Sequence, residues 1–82
     1  MPPIPEYTAA HSDATMDGFK WVHNSEPVEV LVTRDFDSEV WRVEVWNYAH
    51  MTELGPLSKN KSEMRSVAVE WMRNHPEGWS PD

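Results

Sequence analysis

Histidines and carboxylates are the side chains of this 82-residue sequence that could bind a metal or move a proton. Its four histidines lie at irregular intervals, and none forms the His-x-x-x-His or Glu-x-x-His spacing of helical metal sites. His11, Asp13 and Asp17 could together hold a divalent ion, but only if their segment were ordered first. We therefore predict neither a metal site nor a cofactor.

Nothing in the sequence arranges side chains for catalysis. Asp35 and Asp37 flank a turn-forming stretch, and short acidic side chains of this kind stabilise turns by bonding to their own backbone. The chain has no Cys to act as a nucleophile, and its three glycines are isolated, so they form no phosphate-binding loop. A chain this short leaves no second layer to build a pocket. We predict that the protein is not an enzyme.

Three consecutive runs alternate apolar and polar residues with the period of two that is typical of strands: 18–23, 28–34 and 39–48. Gly55-Pro56 marks the following stretch, 49–57, as a loop. A single apolar stripe at helical spacing then predicts a helix, and its members are Met64, Val67, Ala68, Trp71, Met72 and His75. Asn60 or Ser58 would cap this helix, and Pro76 would end it.

These elements predict an α+β fold, a three-stranded antiparallel meander packed on one C-terminal helix (βββα) with a flexible N-terminal tail. The domain would span residues 18–75, and a short C-terminal tail would span 76–82. Residues 1–17 contain early prolines and no apolar period, so we expect an extended or disordered tail. The alternative is that Ile4 and Tyr7 dock on the domain.

The charge is strongly acidic, with 14 acidic and 7 basic side chains and a formal net charge of -7. Such a balance argues against a partner that is a nucleic acid or an anionic membrane. No apolar run is long enough to span a membrane, and the N-terminus has no secretory-signal pattern, so we expect a cytoplasmic protein. Dispersed acid with scarce Lys also resembles the composition of proteins from salt-adapted organisms. A salt-adapted small domain is therefore one alternative.

A second resemblance concerns the start of the helix. The stretch Ser58-Lys59-Asn60-Lys61, followed by Val67-Ala68, is similar to the last helix of double-stranded-RNA-binding domains. The resemblance implies phosphate contacts by Lys59 and Lys61, although residues 1–17 do not resemble that family's first helix. The acidity permits a mirror alternative, a nucleic-acid mimic that occupies a basic groove.

One face of the predicted sheet is left over, because a single helix covers only the other. This leftover face is half apolar, which marks a surface that is either covered or used. We expect it to bind a protein partner or a second copy of the chain through four anchors: Leu31, Val40, Arg42 and Trp46. The alternative is that Ile4 and Tyr7, or Trp79, fold across it.

Overall fold

Five antiparallel strands and one helix make up the regular structure of the residues that the structure describes, 4–10 and 17–81. In this computed structural model the elements are β1 Tyr7–Ala10, β2 Phe19–His23, β3 Val28–Arg34, β4 Trp41–Asn47, β5 His50–Ser58 and α1 Lys61–Asn74. The strands follow one another across a single sheet in the order β1-β2-β3-β4-β5. No helix in these two ranges is long and apolar enough to cross a membrane.

The prediction of a three-stranded meander is therefore wrong, because the sheet has five strands. Strands β2, β3 and β4 correspond to the three runs that alternate in the sequence, and β1 and β5 add one strand at each edge. The single C-terminal helix was predicted correctly. The error thus lies at the two edges of the sheet.

Strand β5 lies where Gly55-Pro56 predicted a loop. Proline is tolerated in an edge strand, because its missing N–H can face away from the neighbouring strand. The pairing of β4 with β5 is also irregular at this point, with a register shift between Trp41 and Val43, and Gly55 has a φ of +64°. Pro56 and Gly55 therefore mark an irregular edge strand instead of a loop.

Strand β1 lies within the segment that was predicted to be a flexible tail. Tyr7 is buried, and its hydroxyl donates a hydrogen bond to the carbonyl of His75 at 2.8 Å. Ile4 packs against the same core. The alternative expectation, that Ile4 and Tyr7 dock on the domain, is confirmed.

The core lies between the sheet and α1, as the alternation in β3 and β4 predicted. Burial of one Val or Met side chain in this core contributes roughly 1.5–3 kcal/mol to the free energy of unfolding. The buried apolar residues of the sheet are Tyr7, Trp21, Val28, Val30, Val32, Trp41, Val43 and Val45, and those of the helix are Met64, Ala68, Val69 and Met72. Val67 and Trp71, which belong to the predicted stripe, are only partly buried.

Both ends of α1 follow from the sequence. The Asn60 side chain accepts a hydrogen bond from the backbone N–H of Glu63 at 3.0 Å, which is an N-cap. The helix ends at Asn74, one residue before His75, because the residue preceding a proline is disfavoured in helical geometry.

The segment after the helix returns to the sheet. The ring nitrogen Nε2 of His23 lies 2.7 Å from the carbonyl of Pro76, and the Asn47 amide donates to the carbonyl of Trp79 at 2.8 Å. Trp79 packs against the core. Residues 76–79 therefore close the helix side of the sheet.

Candidate functional site

The face of the sheet opposite α1 is formed by alternate residues of β2 to β5, and we call it the outer face. Residues directly opposite each other on neighbouring strands share a face. By this register the outer face carries Lys20, Val22, Glu29, Leu31, Thr33, Arg42, Glu44, Trp46, Met51 and Glu53. It is therefore a mixed apolar and charged surface.

Glu44 is the buried centre of the outer face, with only 9% of its surface exposed. One carboxylate oxygen accepts a hydrogen bond from Arg42 Nε at 2.6 Å, and the other accepts one from the Trp46 indole Nε1 at 3.0 Å. Arg42 and Trp46 are the residues two before and two after Glu44, so one strand supplies both donors. The buried charge is paired within the face itself.

The guanidinium of Arg42 bridges two carboxylates. Besides Glu44 it contacts Asp35, whose Oδ1 lies 3.0 Å from Arg42 Nη1. The hydrogen bond to Glu44, outweighing partial burial and assisted by Asp35, raises the pKa of Arg42 above its ordinary value. Arg42 is therefore a fixed cation that holds Glu44 and the turn after β3 together.

Apolar side chains surround this charged pair. Leu31 lies directly opposite Glu44 on β3 and is half-buried, whereas Met51 lies opposite Trp46 on β5 and is 44% exposed. A further ion pair, Lys20 with Glu29 at 3.6 Å, lies on the β2–β3 side of the face. The centre of the outer face thus offers apolar surface around Arg42 and Glu44, two charges that already have partners.

The structure brings three of the four predicted anchors together: Leu31, Arg42 and Trp46 lie on the outer face of β3 and β4. Val40 precedes β4 and is half-buried, and its N–H donates to the Ser38 hydroxyl at 3.0 Å. Sequence reasoning missed Met51, because its strand was interpreted as a loop. The burial of Glu44 depends on the Arg42 and Trp46 side chains that fold onto it, which no local sequence pattern indicates.

The segments expected to cover the outer face lie elsewhere. Ile4, Tyr7 and Trp79 all pack against the core on the helix side of the sheet. Tyr7 is paired with His23 in the sheet, and their rings meet edge to face at 4.8 Å. These three residues therefore do not cover the outer face, and the alternative expectation is wrong.

The two lysines named for phosphate contact have different surroundings. Lys59 is 75% exposed and lies 3.8 Å from a carboxylate oxygen of Glu39. Lys61 Nζ lies over the rings of Phe19 and Trp41, 4.9 and 5.2 Å from their centroids. Tyr7–Ala10 forms a strand within residues 1–17, the segment in which the RNA-binding resemblance would require a first helix.

Two of the histidines have structural hydrogen bonds. The ring nitrogen Nδ1 of His75 lies 2.8 Å from the carbonyl of Trp71, and His23 contacts the Pro76 carbonyl. Across residues 4–10 and 17–81, no three His, Cys, Asp or Glu side chains are grouped so that they could hold a metal ion. His11 and Asp13 lie outside the described residues.

No family model matches the chain, and no curated protein or solved structure matches it either.

Proposed function

We propose that this protein is a non-catalytic interaction module whose outer face binds a partner protein. The observation that carries the proposal is the buried Glu44 with both of its oxygens paired to Arg42 and Trp46. Removing water from an unpaired charge is costly, whereas a charge that is paired and hydrogen-bonded can be covered. Leu31 and Met51 beside it supply the apolar contact area.

The charge of the molecule favours a basic partner over a second copy. Each copy carries a formal charge of -7, so two copies repel each other at low ionic strength. A partner with Lys and Arg around an apolar patch would be attracted instead, and complementary charge raises the rate of encounter. Trp46 and Arg42 are of the residue types that most often dominate interface energy.

Site-directed photo-cross-linking in the cells that make the protein tests this proposal. A photoreactive benzoylphenylalanine would replace Met51 on the outer face, and the matched control would carry it at Ser66 on the exposed side of α1. We expect a discrete heavier adduct from position 51 and none from position 66. Adding Trp46→Ser should abolish the adduct, because loss of such an anchor typically costs at least about 2 kcal/mol, or about thirtyfold in affinity.

Three outcomes would contradict the proposal: no adduct from position 51, equal adducts from both positions, or an adduct that survives Trp46→Ser. An adduct of twice the chain mass would show that the occupant is a second copy. Circular dichroism of the Trp46→Ser chain is needed as a control, to show that the fold persists.

We also propose that the protein works in the cytoplasm. Small secreted domains usually depend on disulfides, and this sequence contains no Cys. Fractionation of the same cells with an antibody to the protein would test the location, and recovery in the secreted fraction would contradict it.

A further inference from the structure

A groove of about 340 Å³ opens at one end of the outer face, where the β2–β3 and β4–β5 turns meet. Trp46 contributes to both the groove and the centre of the outer face, so the two are continuous. The walls of the groove include Val22, Glu26, Pro27, Glu29, Trp46 and Tyr48. Aromatic rings and carboxylates therefore meet in one concave place.

Tyr48 at the rim of the groove has an unusual backbone. It is the first residue of a two-residue turn between the paired residues Asn47 and His50, and its φ is +54°. This left-handed region favours glycine and is uncommon for a bulky side chain. Tyr48 is nonetheless 82% exposed, so little packing within the chain compensates for the strain. A strained backbone that holds an exposed aromatic residue beside a groove points to a role in binding.

The charges of the groove favour a cation. Glu26 and Glu29 supply two carboxylates, and the faces of the Trp46 and Tyr48 rings attract positive charge. Lys20 pairs with Glu29, but the 3.6 Å distance and the exposure of both side chains make this a weak pair.

His23 also lines the groove and does not offset this negative character. Its Nδ1 accepts the backbone N–H groups of Ser25 and Glu26, at 3.2 and 3.0 Å. Its Nε2 is then the protonated nitrogen, which donates to the carbonyl of Pro76. Because one ring nitrogen acts as an acceptor, the imidazole is neutral in this arrangement.

We propose that the groove binds an arginine side chain of the partner protein, an inference that rests on the proposed function of the outer face. A guanidinium is planar and weakly hydrated, so it can stack on an aromatic ring while it donates hydrogen bonds to a carboxylate. Lysine offers a point charge and does not stack in this way. The groove then selects the basic residue, and the outer face supplies the apolar contact.

Titration with small peptides tests the groove separately from the rest of the surface. The probes are acetyl-Gly-Arg-Gly-amide, its counterpart with neutral citrulline in place of Arg, and its counterpart with Lys, each added to the ¹⁵N-labelled full chain. We expect the arginine peptide to give saturable shifts of the Trp46 indole N–H and the Tyr48 amide, at a lower concentration than either counterpart.

Variants at position 48 separate binding from stability. Tyr48→Gly removes the ring and relieves the strained φ, so affinity for the arginine peptide should fall about two- to fivefold while the melting temperature rises. Tyr48→Phe retains the ring and should bind like the native chain. Phe36→Ala removes an exposed ring from a different turn and should leave affinity unchanged.

The inference is overturned if the citrulline or lysine peptide binds as well as the arginine peptide, if the shifts map away from the groove, or if Tyr48→Gly binds normally. Photo-cross-linking at position 51 distinguishes failure of the arginine site from failure of the proposed interface. Adducts that persist when the arginine peptide fails to bind would leave the outer face as an interface without an arginine site. Arginine binding without adducts would instead contradict the proposed function.

Discussion

At the scale of single residues, Tyr7 joins the first strand to the segment after the helix. Its hydroxyl donates to the carbonyl of His75, and its ring meets that of His23 edge to face. Burial, assisted by the negative charges of Glu77 and Glu6, raises the pKa of Tyr7 to about 12. Deprotonation of Tyr7 would also remove its hydrogen bond to His75, because a phenolate cannot donate to a carbonyl.

This pKa predicts a loss of stability at alkaline pH. In the unfolded chain Tyr7 titrates near its ordinary value of 10.0, so its contribution is fully present below pH 10. Between pH 10 and 12 the unfolded state loses the proton first, and the free energy of unfolding should fall by about 1.4 kcal/mol per pH unit. Urea denaturation of the native and Tyr7→Phe chains over this range measures the effect.

The Tyr7→Phe chain is the control, because it lacks the titrating group and shares every other one. Below pH 10 the native chain should be more stable by about 1 kcal/mol, the usual worth of one hydrogen bond. That advantage should shrink and then reverse as the pH approaches 12. A difference that stays constant with pH would show that the hydroxyl titrates alike in the folded and unfolded states, and would contradict the raised pKa.

At the scale of elements, strands β2 to β4 and α1 could be predicted because packing imposes a regular apolar pattern on each. The three strands have a neighbour on both sides in the sheet, and α1 packs one face against it. Central strands such as β3 bury one face, so Val28, Val30 and Val32 alternate with partly exposed residues. The helix shows its apolar stripe and its Asn60 cap. These signals are local in the sequence and can be recognised without knowledge of the fold.

The edge strands could not be predicted, for physical reasons. Strand β5 pairs on one side only, and all of its residues are exposed or half-buried, so no strict alternation is required of it. Strand β1 has four residues, and only Tyr7 among them is buried. For the same reason the outer face could be outlined from β3 and β4, whereas the contributions of Met51 and Tyr48 depended on placing the β4–β5 hairpin.

The register of the missed strand gives an element-scale prediction. Glu53 lies directly opposite Glu44 on the outer face, and like charges in that position are destabilising. Glu53→Lys should therefore stabilise the fold by about 0.2–1 kcal/mol, because it replaces a repulsion with an attraction across the strands. Glu53→Gln should give a smaller gain. Thermal and urea denaturation would measure both.

A control with the same change of net charge separates register from overall repulsion. Asp37→Lys makes that change in an exposed turn, away from the β4–β5 pairing. If it stabilises the fold as much as Glu53→Lys, the gain comes from net charge and the cross-strand explanation is wrong. A loss of stability in Glu53→Lys would likewise contradict the cross-strand explanation.

At the scale of the whole molecule, the charge is divided unequally. Residues 58–75 carry four basic and two acidic side chains, a net +2, and the rest carries three basic and twelve acidic, a net −9. Part of the basic charge lies on aromatic rings, since Lys61 and Arg65 both lie over Phe19. The acidic remainder includes the walls of the groove, so the surface we propose for binding lies in the negative part of the molecule.

This excess of negative charge predicts that salt stabilises the fold. Self-repulsion of a chain at -7 is screened as the Debye length falls from about 10 Å at 0.1 M to about 3 Å at 1 M salt. The melting temperature in potassium chloride should rise through this range and then level off. The double variant Glu26→Gln with Glu53→Gln removes two negative charges and should show a smaller rise. A melting temperature that keeps climbing equally in both chains beyond 1 M would instead indicate a salt-adapted domain, since screening is nearly complete by then.

The same range of salt concentration affects the interface, because screening weakens attraction to a basic partner just as it weakens self-repulsion. Cross-linking from position 51, carried out in a lysate of the same cells at each salt concentration, should therefore decline over the range in which the isolated fold becomes more stable.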